Sequence, residues 1–200
     1  MILGNRVRLR PIEREDLPRY VRWFADPEFR SLIAAYKPFS LAQEERWFEQ
    51  NMAAGDLQAW SIEAQMDSDP PGSPEKWVHI GSCGFHHIDW RNRSGEVGII
   101  IGEKSRWGGG FGTEAMRVFL EWGFGTLNLN RIYLRVLADN RRAIRSYEKL
   151  GFQHEGTLRQ DDFRNGAYRD TLLMGMLWQE WNERRHAPPA KAQQTATDPG

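Results

Sequence analysis

The sequence is poor in cysteine and has no long apolar run, and each shortage excludes a class of protein. Cys83 is the one cysteine among 200 residues, so neither an internal disulfide framework nor a cysteine zinc site is available. A reducing, cytoplasmic compartment is therefore expected. The apolar runs are all short, whereas a membrane span needs roughly 20 apolar residues. The opening residues also lack the apolar segment of a secretory leader.

An excess of charge of either sign is also missing. The chain carries 27 basic and 27 acidic side chains, so its formal net charge is +0 at pH 7. This balance argues against a general nucleic-acid binder and against a protein that docks on an anionic membrane. Nine tryptophans and ten phenylalanines are present instead, and so many large apolar rings predict a packed globular domain.

Two segments contain little that could build a core. Residues Met66–Lys76 hold three prolines and a glycine, which predicts a long exposed loop between two strands. Residues Ala187–Gly200 have no large apolar side chain and are predicted to form a disordered tail. The remaining residues, 1–186, are predicted to form a single domain.

Hydrophobic periodicity predicts an α+β or α/β fold with helices packed on a mixed sheet. Alternating patterns and short apolar runs predict seven strands, over Arg6–Arg10, Gln58–Gln65, Trp77–Asp89, Glu96–Gly102, Arg131–Leu137, Phe152–Arg159 and Tyr168–Leu177. Apolar residues at helical spacing predict four helices, over Glu13–Ala25, Ser40–Ala54, Gly112–Phe124 and Asn140–Leu150. Gly151 is typical of a helix stop, and Asn165-Gly166 is typical of a hairpin turn.

The most informative motif is a glycine-rich turn, RWGGGFGTEA, between a predicted strand and a predicted helix. Glycines at 108, 109, 110 and 112 let the backbone approach a ligand without a Cβ in the way. The free N–H groups and the positive end of the following helix point back at this turn. Such an arrangement binds anions, most often phosphate or pyrophosphate.

This turn has three other interpretations. A P-loop needs Gly-Lys-Ser/Thr, but the turn ends in Gly112, Thr113 and Glu114 without a lysine. A dinucleotide fingerprint needs a last glycine where Thr113 stands, and belongs to a first βαβ unit, whereas this turn comes late in the chain. A tight turn that serves only packing is the remaining alternative.

Four blocks of the chain resemble the GNAT superfamily of N-acetyltransferases, in the family's order. They are VRLRPIEREDLPRYVRW at the start, GEVGIII in the middle, the glycine-rich turn, and NRRAIRSYEKLGF followed by EGTLRQDDFRNGAYRD. The branch they resemble most contains ribosomal-protein N-terminal acetyltransferases and spermidine acetyltransferases. The match covers roughly residues 5 to 182; it departs at Gly109, where a basic residue is common, and at the loop after Gln65.

The resemblance implies an α+β fold with a mixed, mostly antiparallel sheet of about seven strands. That sheet is splayed in the middle, and the pantetheine arm of acetyl-CoA would lie in the gap while the glycine-rich turn holds the pyrophosphate. The residues implied for the cofactor are Ile99, Ile100, Ile101, Arg106, Trp107, Gly108, Gly109, Gly110, Phe111, Gly112, Thr113, Asn140, Arg142 and Ser146. For arginines on the last helix, a solvated helix face is the alternative interpretation.

Acetyl transfer to an amine needs a base for the ammonium proton and benefits from an acid for the departing thiolate. The resemblance makes Glu96 the base, acting through water, although an exposed strand-end carboxylate would look the same. It makes Tyr147 the acid, and the two helical turns between Asn140 and Tyr147 let both face the cofactor. A core aromatic at helical spacing is the alternative for Tyr147.

Other chemistry-bearing side chains have simpler interpretations. Cys83 lies in an apolar strand, where a small core residue is a better interpretation than a nucleophile. His86, His87 and Asp89 suggest a metal cluster, but adjacent strand residues point to opposite faces. No metal site is therefore predicted, although one histidine lining the acceptor cleft stays an alternative.

The acceptor is expected to be a primary amine, either a protein or peptide N-terminus or a small molecule, that attacks directly in a ternary complex. Acidic residues beside aromatic rings suit a cationic amine; a polar hairpin tip with core aromatics is the alternative. The candidate contacts are Phe29, Tyr36, Phe39, Asp161, Asp162, Phe163 and Tyr168. No nucleic-acid or membrane partner is expected, and two copies could associate as a homodimer. Rival functions are a non-catalytic acetyl-CoA-binding sensor or interaction module and a nucleotide-binding protein.

Overall fold

A computed structural model describes residues 1–33, 35–54, 59–66 and 76–186, and only the backbone of residues 52–54. Its strands are β1 Ile2–Leu3, β2 Val7–Pro11, β3 Ala59–Met66, β4 Lys76–Asp89, β5 Ser94–Ile101, β6 Arg131–Leu137, β7 Gln153–Arg164 and β8 Ala167–Leu177. Its helices are α1 Leu17–Ala25, α2 Pro27–Arg30, α3 Leu41–Ala54, α4 Phe111–Gly125, α5 Arg141–Leu150 and α6 Trp178–His186. Short 3-10 turns cover Arg14–Asp16 and Lys104–Arg106.

The strands form one eight-stranded sheet in the order β1-β2-β3-β4-β5-β6-β8-β7. Every neighbouring pair is antiparallel except β5 and β6, which are parallel. The mixed, mostly antiparallel sheet is therefore confirmed. It has one strand more than expected, because the two-residue β1 is too short to leave a periodic pattern in the sequence.

Helices cover both faces of this sheet. Alternate residues of β5 contact opposite faces of the molecule, because successive side chains along a strand point to opposite faces of the sheet. Val97, Ile99 and Ile101 contact the larger hydrophobic cluster, which includes residues of α4, α5 and α6. Ile100 contacts the smaller cluster under α1, α2 and α3. The sheet thus lies between the two groups of helices, and β5 contacts both of them.

Local sequence chemistry sets the ends of the elements around the site. Gly110 is the N-cap of α4 with φ +83°, and Asn140 is the N-cap of α5, its side chain accepting from the Ala143 N–H at 3.2 Å. Gly151 ends α5 in the left-handed region, as predicted. Asn165 and Gly166 also have positive φ, which fits the two-residue turn expected between β7 and β8.

Two of the predicted segments lie wholly or mostly outside the described residues. The interior of the predicted loop, residues 67–75, and the predicted tail, residues 187–200, lie outside the described residues, while Met66 and Lys76 pair as the last and first residues of β3 and β4. The extent of the domain, residues 1–186, stays a prediction. None of the helices in the described ranges is both long and apolar enough to cross a bilayer.

Candidate active site

A cleft opens where the parallel strands β5 and β6 part. The two strands pair only over Ser94–Glu96 against Arg131–Tyr133. Beyond Glu96, β5 stays paired with β4 on its other side, and β6 stays paired with β8. Two strand edges therefore face each other across a gap that belongs to a cleft of about 1430 Å³.

The glycine-rich turn forms one end of the cleft. Gly108 and Gly110 have φ of +77° and +83°, a conformation in which an L side chain is strained. A Cβ on Gly108 would meet nothing within 4 Å, so this backbone faces open space. Gly108, Gly110 and Gly112 all line the cleft, and the first turn of α4 presents N–H groups without intrahelical partners there.

The bend between β1 and β2 holds this turn on the side away from the cleft. The Glu114 carboxylate accepts from the backbone N–H groups of Asn5 and Arg6, both at 2.7 Å. Arg6 in turn donates to the Gly109 carbonyl at 3.2 Å, and its guanidinium lies 4.7 Å from the centre of the Phe111 ring. Gly109 and Phe111 consequently face Arg6, and neither lines the cleft.

The face of α5 that carries Asn140 and Tyr147 forms the wall beside the turn. Ser146 bonds Thr113 on α4, hydroxyl to hydroxyl, at 2.6 Å. Asn140 has partners at both ends of its amide, because its Nδ2 donates to the Leu32 carbonyl at 3.3 Å while its Oδ1 caps α5. Each end of the amide keeps one further hydrogen-bonding position, a second N–H and a second lone pair, that a ligand can use.

Tyr147 opens into the same cleft. Its ring packs edge-on against Phe152, with the ring centres 5.8 Å apart. Desolvation raises the pKa of the Tyr147 hydroxyl to about 12, so the hydroxyl keeps its proton at neutral pH.

Glu96 stands where the splay begins. It is the last residue of β5 that pairs with β6, opposite Tyr133, and it lines the cleft. Burial first, and then the charge of Glu96, raise the pKa of Tyr133. The carboxylate that the resemblance makes the base and the hydroxyl that it makes the acid thus share one cleft.

The predicted cofactor contacts form a nearly continuous lining. Trp107 donates from Nε1 to the Ile101 carbonyl at 2.7 Å, and the Arg142 guanidinium stacks 4.0 Å from the centre of the Trp107 ring. Twelve of the fourteen residues predicted for the cofactor line the cleft: Ile99, Ile100, Ile101, Arg106, Trp107, Gly108, Gly110, Gly112, Thr113, Asn140, Arg142 and Ser146.

These features fit coenzyme A. Two unpaired strand edges suit the amides of a pantetheine arm, since an extended chain can add to an exposed sheet edge. The open space at Gly108 and the N-terminus of α4 suit a pyrophosphate. The donor set therefore matches both the peptide-like and the phosphate parts of that molecule.

The predicted acceptor contacts divide into two groups. Phe29, Phe39, Asp161 and Asp162 line the cleft. Tyr36, Phe163 and Tyr168 do not, and they are exposed, because the segment after α2 and the tip of the β7–β8 hairpin turn these rings outward. At the hairpin tip the rings of Phe163 and Tyr168 pack on each other instead, with centres 4.9 Å apart.

Both predicted acidic contacts are already paired with arginine. Asp161 bonds Arg135 at 2.7 Å. Asp162 lies 2.8 Å from Nε of Arg164 and 3.9 Å from Nε of Arg169. These pairs neutralise the charge that was expected to attract a cationic amine.

Several lining residues were not predicted. The face of α3 towards the cleft contributes Gln43, Glu44, Trp47 and Asn51. The spacing of Glu44, Trp47 and Asn51 along one helix face is a pattern that the sequence does contain. That Glu44 is buried, at 8% exposure, follows from tertiary packing alone.

His86, His87 and Cys83 occupy three different environments. His86 is the extra residue at a bulge between β4 and β5; it lines the cleft and lies over Gly98. His87 does not line it. Cys83 is buried in the larger hydrophobic cluster, and burial raises the pKa of its thiol, which disfavours a nucleophile. Across the described residues, no three side chains form a group that could hold a metal ion.

Comparison with known proteins agrees with this geometry. Residues 6–153 match the family model described as the acetyltransferase (GNAT) domain. The uncharacterized N-acetyltransferase p20 of Bacillus licheniformis is 33% identical over 177 residues, which cover 88% of this chain and 96% of that protein. The spermidine N(1)-acetyltransferase of Escherichia coli (strain K12) is 32% identical over 198 residues, with 92% and 93% covered.

The fold also matches a solved structure over nearly its whole length. The crystal structure of spermidine N-acetyltransferase from Vibrio cholerae, in complex with CoA and spermine, superimposes with a TM-score of 0.78 at 26% identity. The match covers 90% of this chain and 99% of that one.

Proposed function

The chain belongs to the GNAT family of acetyltransferases and is an acetyl-CoA-dependent N-acetyltransferase, and from this premise we propose that it acetylates a small cationic primary amine, with Glu96 as base and Tyr147 as acid. The observation that carries the proposal is the opening of both side chains into one cleft at the splay of β5 and β6. The spermidine named for the Escherichia coli relative and the spermine bound in the Vibrio cholerae structure support the acceptor class.

The residues of the cleft have separable tasks in this proposal. Acetyl-CoA supplies the activated acetyl thioester. The glycine-rich turn and the first turn of α4 bind its pyrophosphate, and the facing edges of β5 and β6 orient its arm. Glu96 accepts the proton of the acceptor's ammonium, directly or through a water molecule, because only the free amine has a lone pair for attack.

Tyr147 holds a proton on Oη that it can donate to the leaving group. Its raised pKa, about 12, keeps the hydroxyl protonated at neutral pH, so the proton is available to the departing thiolate. The amine attacks acetyl-CoA directly in this proposal, without an acetylated cysteine as intermediate. This fits the state of Cys83, because its buried thiol is a poor nucleophile. A cytoplasmic location and association of two copies through sheet edges remain part of the proposal; β7 is one of the two edge strands.

Replacing Tyr147 by Phe tests the acid. We expect kcat, measured as thiol release from acetyl-CoA, to fall by about 10²- to 10⁴-fold, because the ring keeps its packing and only the proton donor is lost. The affinity for acetyl-CoA, measured by calorimetry, should stay near that of the wild type. The assay uses polyamines, amino sugars, amino acids and peptides with free N-termini as acceptors.

Tyr168→Phe is the matched control, because Tyr168 is exposed at the hairpin tip and does not line the cleft. It should retain wild-type kcat. An unchanged kcat in Tyr147→Phe would remove Tyr147 from the mechanism. Turnover with peptides and with no small amine would overturn the acceptor class.

A further inference from the structure

The peptide group between Gly109 and Gly110 is held by a side chain from outside the cleft. Arg6, in the bend between β1 and β2, donates from Nη2 to the Gly109 carbonyl at 3.2 Å. Gly110 lines the cleft, whereas Gly109 and Arg6 do not. The Gly109 carbonyl is therefore directed to the side of the turn away from the cleft.

The planarity of the peptide group transfers this orientation to the next residue. In a trans peptide the C=O group and the following N–H group point in opposite directions. With the Gly109 carbonyl directed at Arg6, the Gly110 N–H is directed to the cleft side. It donates to no group of the residues that the structure describes, so it is free to bind a phosphate oxygen.

The glycines make this orientation easy to lose. Gly109 and Gly110 both lack a Cβ, so the peptide between them can rotate at a smaller steric cost than a peptide between two residues with side chains. A rotated peptide would direct its carbonyl oxygen into the cleft, where it would repel the oxygens of a phosphate. The hydrogen bond from Arg6 opposes that rotation, because it breaks when the carbonyl turns.

Arg6 is itself held in place by Glu114 and Phe111. Its Nε donates to Oε2 of Glu114 at 3.3 Å, while Oε1 accepts from the backbone N–H groups of Asn5 and Arg6, both at 2.7 Å. The guanidinium also lies 4.7 Å from the centre of the Phe111 ring. Because Glu114 belongs to the first turn of α4, the N-terminal bend, the glycine-rich turn and the helix form one hydrogen-bonded unit.

We propose that Arg6 is a positioning residue for acetyl-CoA, which holds the peptide between Gly109 and Gly110 with its N–H towards the cleft and so orients a donor for the pyrophosphate. The inference rests on the proposed function, which places the pyrophosphate at the glycine-rich turn. Since Arg6 does not line the cleft, it acts through this peptide group and not by contact with the ligand.

The test compares ligands with and without a pyrophosphate. The Kd of CoA is measured by calorimetry, and kcat/KM is measured with acetyl-CoA and with S-acetylpantetheine, which has the same thioester arm but no pyrophosphate. Arg6→Met should raise the Kd of CoA by about tenfold, because one oriented hydrogen bond to a charged group is lost. It should lower kcat/KM for acetyl-CoA by a similar factor, through KM, and change the value for S-acetylpantetheine by less than about twofold.

Arg14→Met is the matched control. Arg6 and Arg14 are 53% and 56% exposed, each pairs with one carboxylate, and each lies over a phenylalanine ring. Arg14 contacts neither the turn nor the cleft, so Arg14→Met should bind CoA as the wild type does. Without ligand, both variants should melt within about 2 °C of the wild type, because exposed ion pairs contribute little to stability.

The salt dependence separates orientation of the peptide from simple attraction by the Arg6 charge. Attraction between an exposed charge and the ligand is screened at high ionic strength, whereas the orientation of a peptide group is not. The ratio of the two Kd values, Arg6→Met over wild type, should therefore be the same at about 0.05 M and about 0.5 M NaCl. A ratio that falls to one at the higher concentration would overturn the positioning role.

Gly110→Ala, measured beside Arg6→Met, separates this inference from the proposed function. A higher Kd in Gly110→Ala with an unchanged Kd in Arg6→Met would overturn the role of Arg6 and leave the pyrophosphate at the turn. An unchanged Kd in both variants would overturn the placement of the pyrophosphate, and the inference with it. Equal losses of kcat/KM with the two thioesters would show that Arg6 has only a structural role.

Discussion

Asp16 shows how much a single residue contributes to the acceptor side of the molecule. Its buried carboxylate accepts from both terminal nitrogens of Arg10 at 2.7 Å, and from the hydroxyl of Ser61 and the backbone N–H of Glu13 at 2.9 Å. Nδ1 of His79 lies 3.1 Å away. Although burial opposes it, these donors hold the pKa of Asp16 well below its usual range. The network joins β2, β3 and β4 to the start of α1.

Asp16→Asn should destabilise the protein by about 3–5 kcal/mol, because it leaves the Arg10 charge partly uncompensated in a buried site. Urea unfolding measures this loss. Glu49→Gln removes only an exposed ion pair with Arg14 and should cost less than about 1 kcal/mol. Equal losses in the two variants would show that the Asp16 network contributes nothing special.

The same network predicts a pH dependence. Because folding lowers the pKa of Asp16, its contribution is complete above the ordinary aspartate value of about 3.9 and is lost as the pH falls below it. Wild-type stability should therefore fall more steeply between about pH 4 and pH 2 than that of Asp16→Asn. Parallel acid-denaturation curves would contradict this assignment.

Among the elements, the turn before α4 has a backbone conformation that favours glycine, and the same backbone is proposed to bind the pyrophosphate. Gly110 needs φ +83°, and a Cβ there would come within 3.2 Å of the Arg6 guanidinium. Strain at such a position costs on the order of 1 kcal/mol, and any relief has to move the backbone that we assign to the pyrophosphate.

Gly110→Ala should weaken acetyl-CoA binding by at least about tenfold in calorimetry, equivalent to about 1.4 kcal/mol. Gly166→Ala is a matched control, since Gly166 has φ +80° at the hairpin turn and does not line the cleft. It should lose similar stability with no loss of affinity. A loss of affinity in both variants would mean that general destabilisation, and not the turn, weakens binding.

Local patterns predicted the elements that build the donor side. Glycines 108, 110 and 151 and the cap at Asn140 fix backbone conformation through their own chemistry, so sequence alone could place the turn and the ends of α5. Helices α2 and α6 were not predicted. The four residues of α2 are too few for a periodic pattern, and α6 is polar over most of its length.

Side chains on the acceptor side were predicted less well because distant partners decide their state. Asp161 and Asp162 stand in a hairpin that the sequence marks clearly, yet their arginine partners include Arg135, which comes from another strand. Glu44 resembles an ordinary solvent-facing residue of a helix, and only the packing of α3 over the sheet buries it.

On the scale of the whole molecule, the sheet consists of two antiparallel parts joined by three residue pairs. β1 to β5 form one part, and β6, β8 and β7 form the other. A ligand that bridges their edges adds contacts that the free protein lacks, so binding should protect the backbone there more than elsewhere.

Hydrogen exchange in the presence and absence of acetyl-CoA measures this protection. Amides of residues 97–101 and 134–137 should exchange more slowly when acetyl-CoA is bound, whereas those around the turn at Asn165 should not change. Uniform slowing throughout the chain would indicate global stabilisation without a bridging position for the ligand.

Helix α2 and the residues that flank it contact both the donor end of the cleft and the β7–β8 hairpin, and these contacts can couple the binding of the two substrates. Lys104, just before the glycine-rich turn, pairs with Asp26 at the start of α2 at 2.6 Å. Beyond the end of α2, Asn140 holds the Leu32 carbonyl at 3.3 Å, and Arg164 of the hairpin holds the Arg30 carbonyl. An amine that shifts this short helix alters the donor end, and such coupling is reciprocal. We therefore expect synergy between the two substrates rather than independent binding.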